Sequence, residues 1–171
     1  WTMLSDKDYT NLVRERHLTE VQPESVHFLL QTFYNIKACL AAFEANQDKH
    51  IFFITSGTMG QKIVGTVVER YRHVFTDPIT NEPYSSIYVF CHSIAYKMDW
   101  AMLHLEHIQM FTHDQDLLQR MTRDIGKYLV ERGRRLRVAG NLRGALQRLE
   151  WAKRLFYRYE TMHVGREKSM G

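Results

Sequence analysis

Between residues 50 and 111, short continuous apolar runs alternate with stretches whose apolar residues recur every three or four positions. Ile51-Phe52-Phe53-Ile54 is bounded by polar residues, which suits a strand covered on both faces, as in a parallel sheet; a strand is predicted over 50–56. A second buried strand is predicted over 86–91 and a short one over 108–111. Ile36, Cys39, Leu40 and Phe43 share one face of an amphipathic helix predicted over 35–46. Ile63, Val64, Val67 and Val68 repeat that spacing after a glycine-containing turn, and a further helix is predicted over 94–105. A loop with two prolines spans 75–84. Upstream, residues 1–4 read as a strand and 9–22 as a helix stopped by Pro23. The pattern over 26–33 fits either state, and its length and its β-branched and aromatic content favour a strand. From Asp114 onward the period is helical, with one break at Ala139-Gly140-Asn141.

Strands alternating with helices over 1–119 imply a parallel sheet with helices on both faces. Right-handed crossovers favour a doubly wound, receiver-like (flavodoxin-like) order in a mostly parallel sheet of four or five strands. The fold class expected is therefore α/β over 1–119, followed by a basic helical hairpin over 120–171.

The chain is 44% hydrophobic, 25% charged and 12% aromatic, which excludes disorder, collagen-like repeats and a disulfide scaffold. The net charge of +4 conceals a split. Residues 1–119 carry 9 Lys and Arg against 14 Asp and Glu, and residues 120–171 carry 14 against 5. Opposite charge predicts that the two parts attract, which weakens the case for nucleic acid made by the basic end alone. No apolar run approaches the ~18–20 residues that cross a bilayer, so no membrane partner is expected. No signal peptide is recognisable, and a chain starting at Trp1 reads as a processed protein or a piece of a longer one. Cys39 and Cys91 sit in apolar stretches. They read as reduced core thiols of a cytoplasmic protein, a disulfide or a reactive thiol being the alternatives.

Ligands of open α/β sheets bind outside the carboxyl ends of the strands. Three segments lie there: Asp6 and Asp8, the turn Ser56-Gly57-Thr58-Met59-Gly60, and His92-Ser93. A helix opened by Ser56, Gly57, Thr58 and Gly60 offers free backbone N–H groups and a positive dipole end to a phosphate or nucleotide. The turn is neither a P-loop nor a full Gly-x-Gly-x-x-Gly, and it equally fits a strand-to-helix turn capped by Ser56 or Thr58. Phosphoacceptor chemistry needs an Asp at the end of the central strand, where Thr55-Ser56 stands instead. His104, His107 and His113 lack a completing ligand, so no metal or other cofactor is expected.

Arg132, Arg134, Arg135, Arg137, Arg143, Arg148, Lys153, Arg154 and Arg158 crowd the last two helices. A basic face that meets protein partners is the reading preferred over nucleic acid. Glu131, Glu150 and Glu160 interrupt the field, and Tyr128, Trp151, Phe156 and Tyr157 mostly fit core positions. Anionic lipid or small phosphates are further alternatives.

Residues 126–159 span the length of one tetratricopeptide repeat and resemble that family. Leu129, Gly133, Leu136, Gly140, Ala145, Leu149 and Ala152 fall on its preferred positions; Arg132 beside the glycine and the absence of Pro at Tyr157 depart from them. Ser93, Tyr96, Trp100 and Leu105 resemble a helix of the NAD-cleaving TIR family. The catalytic glutamate of that family would fall at His104, and Glu106 lies about 200° round a helix from it. Over about 27–159, the order Phe52, Ile54, Ser56, Gly57, Gly60, then 85–91, then Trp100 and Ile108 is similar to receiver-like or TIR-like modules of large multidomain animal proteins. In those proteins the module precedes helical repeats and sometimes an ADP-ribosyltransferase domain, whose Glu-x-Glu signature is absent here. The resemblance implies a non-catalytic signalling or scaffold module, with a TIR-like nucleotide-binding or NAD-processing domain as the alternative.

Overall fold

A computed structural model of the chain describes residues 19–21, 28–93 and 98–169. In chain order its elements are β1 (Thr19–Val21), β2 (Phe28–Leu30), α1 (Ile36–Ala45), β3 (Phe53–Ser56), α2 (Gly57–Tyr71), a 3-10 turn (Arg72–Phe75), β4 (Ile87–Phe90), α3 (Met98–Met102), β5 (Ile108–Phe111), α4 (Asp114–Val138) and α5 (Leu142–Ser169). They divide into two compact units, residues 32–117 and a second one holding β1, β2 and residues 118–169.

The first unit is built on a parallel sheet in the order β3-β4-β5, with Phe53 level with Ile87 and Ile87 level with Ile108. Strands alternate their faces. Ile87, Val89 and Ile108 enter one core with Cys39 and Phe43 of α1 and Ile63, Val64, Val67 and Val68 of α2. Each such aliphatic side chain contributes about 1.5–3 kcal/mol when fully buried. Asn35 caps α1, its Oδ1 accepting from the Ala38 N–H at 2.8 Å. Across the two helices the Tyr71 hydroxyl donates to Glu44 at 2.9 Å, which holds the phenol above its usual range. Tyr88, on the opposite face of β4 from Ile87, is fully buried and stacks on Phe111. Cys39 and Cys91 are buried and are not joined in a disulfide, and burial pushes the Cys39 thiol up to about 11.

Three expectations are corrected. The described parallel sheet has three strands, not four or five, and its order never reverses, so it contains no switch point. The strand expected over 26–33 is found at β2, but it pairs antiparallel with β1 in a separate two-stranded sheet rather than joining the parallel one. The helix expected over 9–22 gives way to strand at Thr19–Val21. Two β-branched residues, Thr19 and Val21, stand there, which favours pairing over coiling. Residues 1–4 and 9–18 lie outside the described residues.

The loop after the 3-10 turn is organised by Asp77, which is buried. Its Oδ1 accepts from the N–H groups of Ile79 and Thr80, and its Oδ2 accepts from the Tyr84 hydroxyl at 2.8 Å. His50 sets its ring edge-on to Phe52 and Tyr84. Burial pulls the His50 imidazole down to about 4, against the opposing Val74 carbonyl and Asp77 charge. An unfolded histidine titrates near 6.5, so between about pH 6.5 and 4 the unfolded chain binds the extra proton. Stability from this group is therefore complete above about pH 7 and lost as pH falls. Urea unfolding is expected to show about 2 kcal/mol less stability at pH 5 than at pH 7 from this residue. His50→Phe should flatten that slope; an unchanged slope would show that other groups carry it.

Candidate functional site

Two places gather the residues that the sequence singles out. The first is the start of α2. Ser56 is extended and its Oγ accepts from the Met59 N–H at 3.2 Å, so Ser56, rather than Thr58, caps the helix. Gly57 and Gly60 are buried and Thr58 is exposed. A Cβ on Gly60 would lie 3.0 Å from Cη2 of Trp100 and 3.1 Å from Cγ2 of Thr55. The bare Cα of Gly60 thus seats an indole. His92 and Ser93 follow β4 at the same end of the sheet and are exposed. Asp6 and Asp8 lie outside the described residues. Removing the cap by Ser56→Ala is expected to cost about 1 kcal/mol in denaturant unfolding; no change would mean that the Met59 N–H finds another acceptor.

His104 belongs to the turn before β5, at the amino end of the sheet, with Nε2 3.6 Å from where a Gly65 Cβ would stand. The start of α2 is at the carboxyl end, so the strands separate the two by about 13 Å. Glu106 accepts from Arg72 at 3.0 Å and lies 3.2 Å from Nε2 of the fully buried His107. Burial holds the His107 imidazole below its usual range, with the Glu106 charge opposing. Among the described residues no group of three or more His, Cys, Asp or Glu is placed to hold a metal ion.

The second place is the hairpin of α4 and α5. Its turn is held by local backbone hydrogen bonds. Asn141 donates to the Leu136 carbonyl at 2.8 Å and Gly140 to the Arg137 carbonyl at 3.0 Å, while Gly140 takes φ +79. This is a Schellman end, and only glycine adopts that backbone without strain. Asn141 then caps α5, its Oδ1 accepting from the Gly144 N–H at 2.9 Å. Two glycines let the helices approach. A Cβ on Gly133 would lie 2.9 Å from Cγ of Leu149, and one on Gly126 would meet the Phe156 ring at 3.1 Å. Ala145, Ala152 and Leu155 are buried on α5, and Met121, Ile125 and Leu129 on α4.

The helices run longer than a tetratricopeptide hairpin. α5 continues for 28 residues to Ser169, straight past Tyr157, where the repeat would close with a proline that this chain lacks. Of the aromatics expected in the core, Tyr157 is exposed instead, while Tyr128, Trp151 and Phe156 are half-buried.

Arg132, Arg134, Arg137 and Arg143 are exposed, and among the described residues no acid pairs with them. Arg135 differs: it is half-buried and donates to Glu131 at 2.9 Å. Arg154 faces Glu150 at 3.5 Å, and Arg148 lies over the Trp151 ring. Composition did not reveal that Leu142, Leu146 and Val138 are solvent-exposed around these arginines. The signal was legible: Leu142 and Leu146 fall one turn apart on the flank of α5, away from Ala145 and Ala152. Among the described residues no helix is long and apolar enough to cross a membrane. No protein-family model, no curated protein and no solved structure was found to match this chain.

Proposed function

We propose that the chain is a non-catalytic signalling or scaffold module that binds other proteins through its C-terminal hairpin. The observation that carries this reading is the exposure of Leu142 and Leu146, 67% and 70%, on a hairpin closed by a glycine turn, beside arginines that no acid pairs with among the described residues. Leucines scattered singly on a surface are ordinary; leucines aligned on one helix flank mark a contact surface. The sequence resemblances, receiver-like or TIR-like for the α/β part and tetratricopeptide-like for the hairpin, favour the same role, since helical repeats are interaction surfaces. Ser56, Gly57 and Thr58 supply a capped helix start, and Gly60 serves packing against Trp100.

A library of displayed helical peptides selected on the immobilised full chain tests the reading. Selection should enrich peptides that bind the chain and lose binding to Leu146→Asp. Failure to enrich any such peptide, or steady release of nicotinamide on incubation with NAD, would overturn it.

A further inference from the structure

Helical geometry at 100° per residue sorts the hairpin into faces. On α5, Ala145 and Ala152 point toward α4, where Gly126 and Gly133 receive the helix. Leu142, Leu146 and Leu149 lie within an arc of about 60°, displaced by roughly a quarter-turn from that contact. Because the helices are antiparallel, the same side of α4 presents Arg134 and Arg137. Arg143 borders the leucines on the other side. The result is an apolar stripe bounded on both flanks by exposed guanidinium groups. Leu149 rests over Gly133, where the absence of a side chain lets it settle close to α4. The nearby acids are already engaged: Glu131 with Arg135 and Glu150 with Arg154.

We infer that this face, formed by Leu142, Leu146 and Leu149 between Arg134, Arg137 and Arg143, docks an acidic amphipathic helix of a partner protein. The inference rests on the protein-binding reading above and names the partner's chemistry. A third helix fits because spacing at three and four residues forms ridges that the grooves of another helix receive. The partner must be apolar along one stripe to cover the leucines and acidic beside it to meet the arginines, which as planar forks hold carboxylates bidentately. A nucleic-acid backbone would satisfy the arginines and leave the leucines in water.

The test uses the full chain and four probes: an 18-residue peptide with leucines at helical spacing and glutamates elsewhere, its scrambled version, a version with lysine for glutamate, and a single-stranded oligonucleotide. Titration followed by anisotropy should show the acidic amphipathic peptide binding at least tenfold tighter than the other three. Binding should weaken several-fold between 50 and 200 mM salt. Leu146→Asp should weaken it about tenfold or more while leaving the unfolding curve in place. A double reversal, Arg134→Glu with Arg137→Glu, should shift preference to the lysine peptide. Equal binding of the scrambled peptide, preference for the oligonucleotide, or a reversal without exchanged preference overturns the inference. So does self-association of the chain through this face, read by sedimentation and abolished by Leu146→Asp. Selected peptides that bind the groove but carry no acidic residues would overturn the partner's chemistry and keep the protein-binding reading; absence of any selected peptide would overturn both.

Discussion

Leu155→Ala is expected to destabilise the chain by about 3–4 kcal/mol, whereas Leu146→Ala in the same helix should change stability by less than about 0.5 kcal/mol. Both are leucines of α5, nine positions apart. Leu155 is fully buried and Leu146 is 70% exposed. Truncating Leu155 removes its transfer free energy and leaves a void that close-packed neighbours only partly fill. Truncating Leu146 removes contacts with water. Leu155→Met, which nearly conserves volume, should cost under about 1.5 kcal/mol. Equilibrium urea unfolding of the four proteins measures all of this. Equal losses at positions 155 and 146 would mean that the exposed flank is covered in solution. The same pair should behave oppositely toward a docked helix: Leu146→Ala should weaken binding, and Leu155→Met should leave it unchanged.

Gly60→Val should cost about 2–3 kcal/mol, because its Cβ and branches would be driven into Trp100 and Thr55. The cause can be isolated by a double-mutant cycle. If the glycine exists to seat the indole, Gly60→Val added to Trp100→Ala should cost about 1 kcal/mol or less, since the branched side chain then occupies space that the ring has vacated. A penalty that is undiminished in the Trp100→Ala background would place the need for glycine in the backbone rather than in the packing. The cycle matters because close approach is also what a phosphate requires of a glycine at a helix start. Sequence alone could not separate the two uses: both place glycine in the first turn after a strand, and the distinguishing atom belongs to a tryptophan forty residues away.

Much of the parallel sheet was legible locally. The strand at 108–111 matches its predicted ends, and those at 53–56 and 87–90 lie within the predicted spans; β4, buried from Ile87 to Val89 on both faces, shows the unbroken apolar run that such a strand needs. The helix at 36–45 was legible from its apolar spacing, and the α4–α5 break from Gly140. What failed was pairing over distance. Whether Phe28-Leu29-Leu30 joins the parallel sheet or pairs with Thr19-Glu20-Val21 depends on tertiary partners that no local period encodes. Gly133 was legible as a close contact from its place in the tetratricopeptide resemblance, whereas the contact of Gly126 with Phe156 was not. The basic character of the hairpin was plain from composition, but composition treats Arg135, held by Glu131, and Arg134, free of acids among the described residues, as equals. Only geometry separates them, and it puts exposed leucines beside the exposed arginines.

Docking of an acidic helix on the α4–α5 flank is tested most directly by amide NMR of the isotopically labelled full chain during titration with the leucine–glutamate peptide. The shifts should concentrate on residues 130–150, around Arg134, Arg137, Leu142 and Leu146, and leave Ser56 to Gly60 unmoved. Shifts centred on 56–60, or no shifts at peptide concentrations that saturate the anisotropy signal, would contradict it.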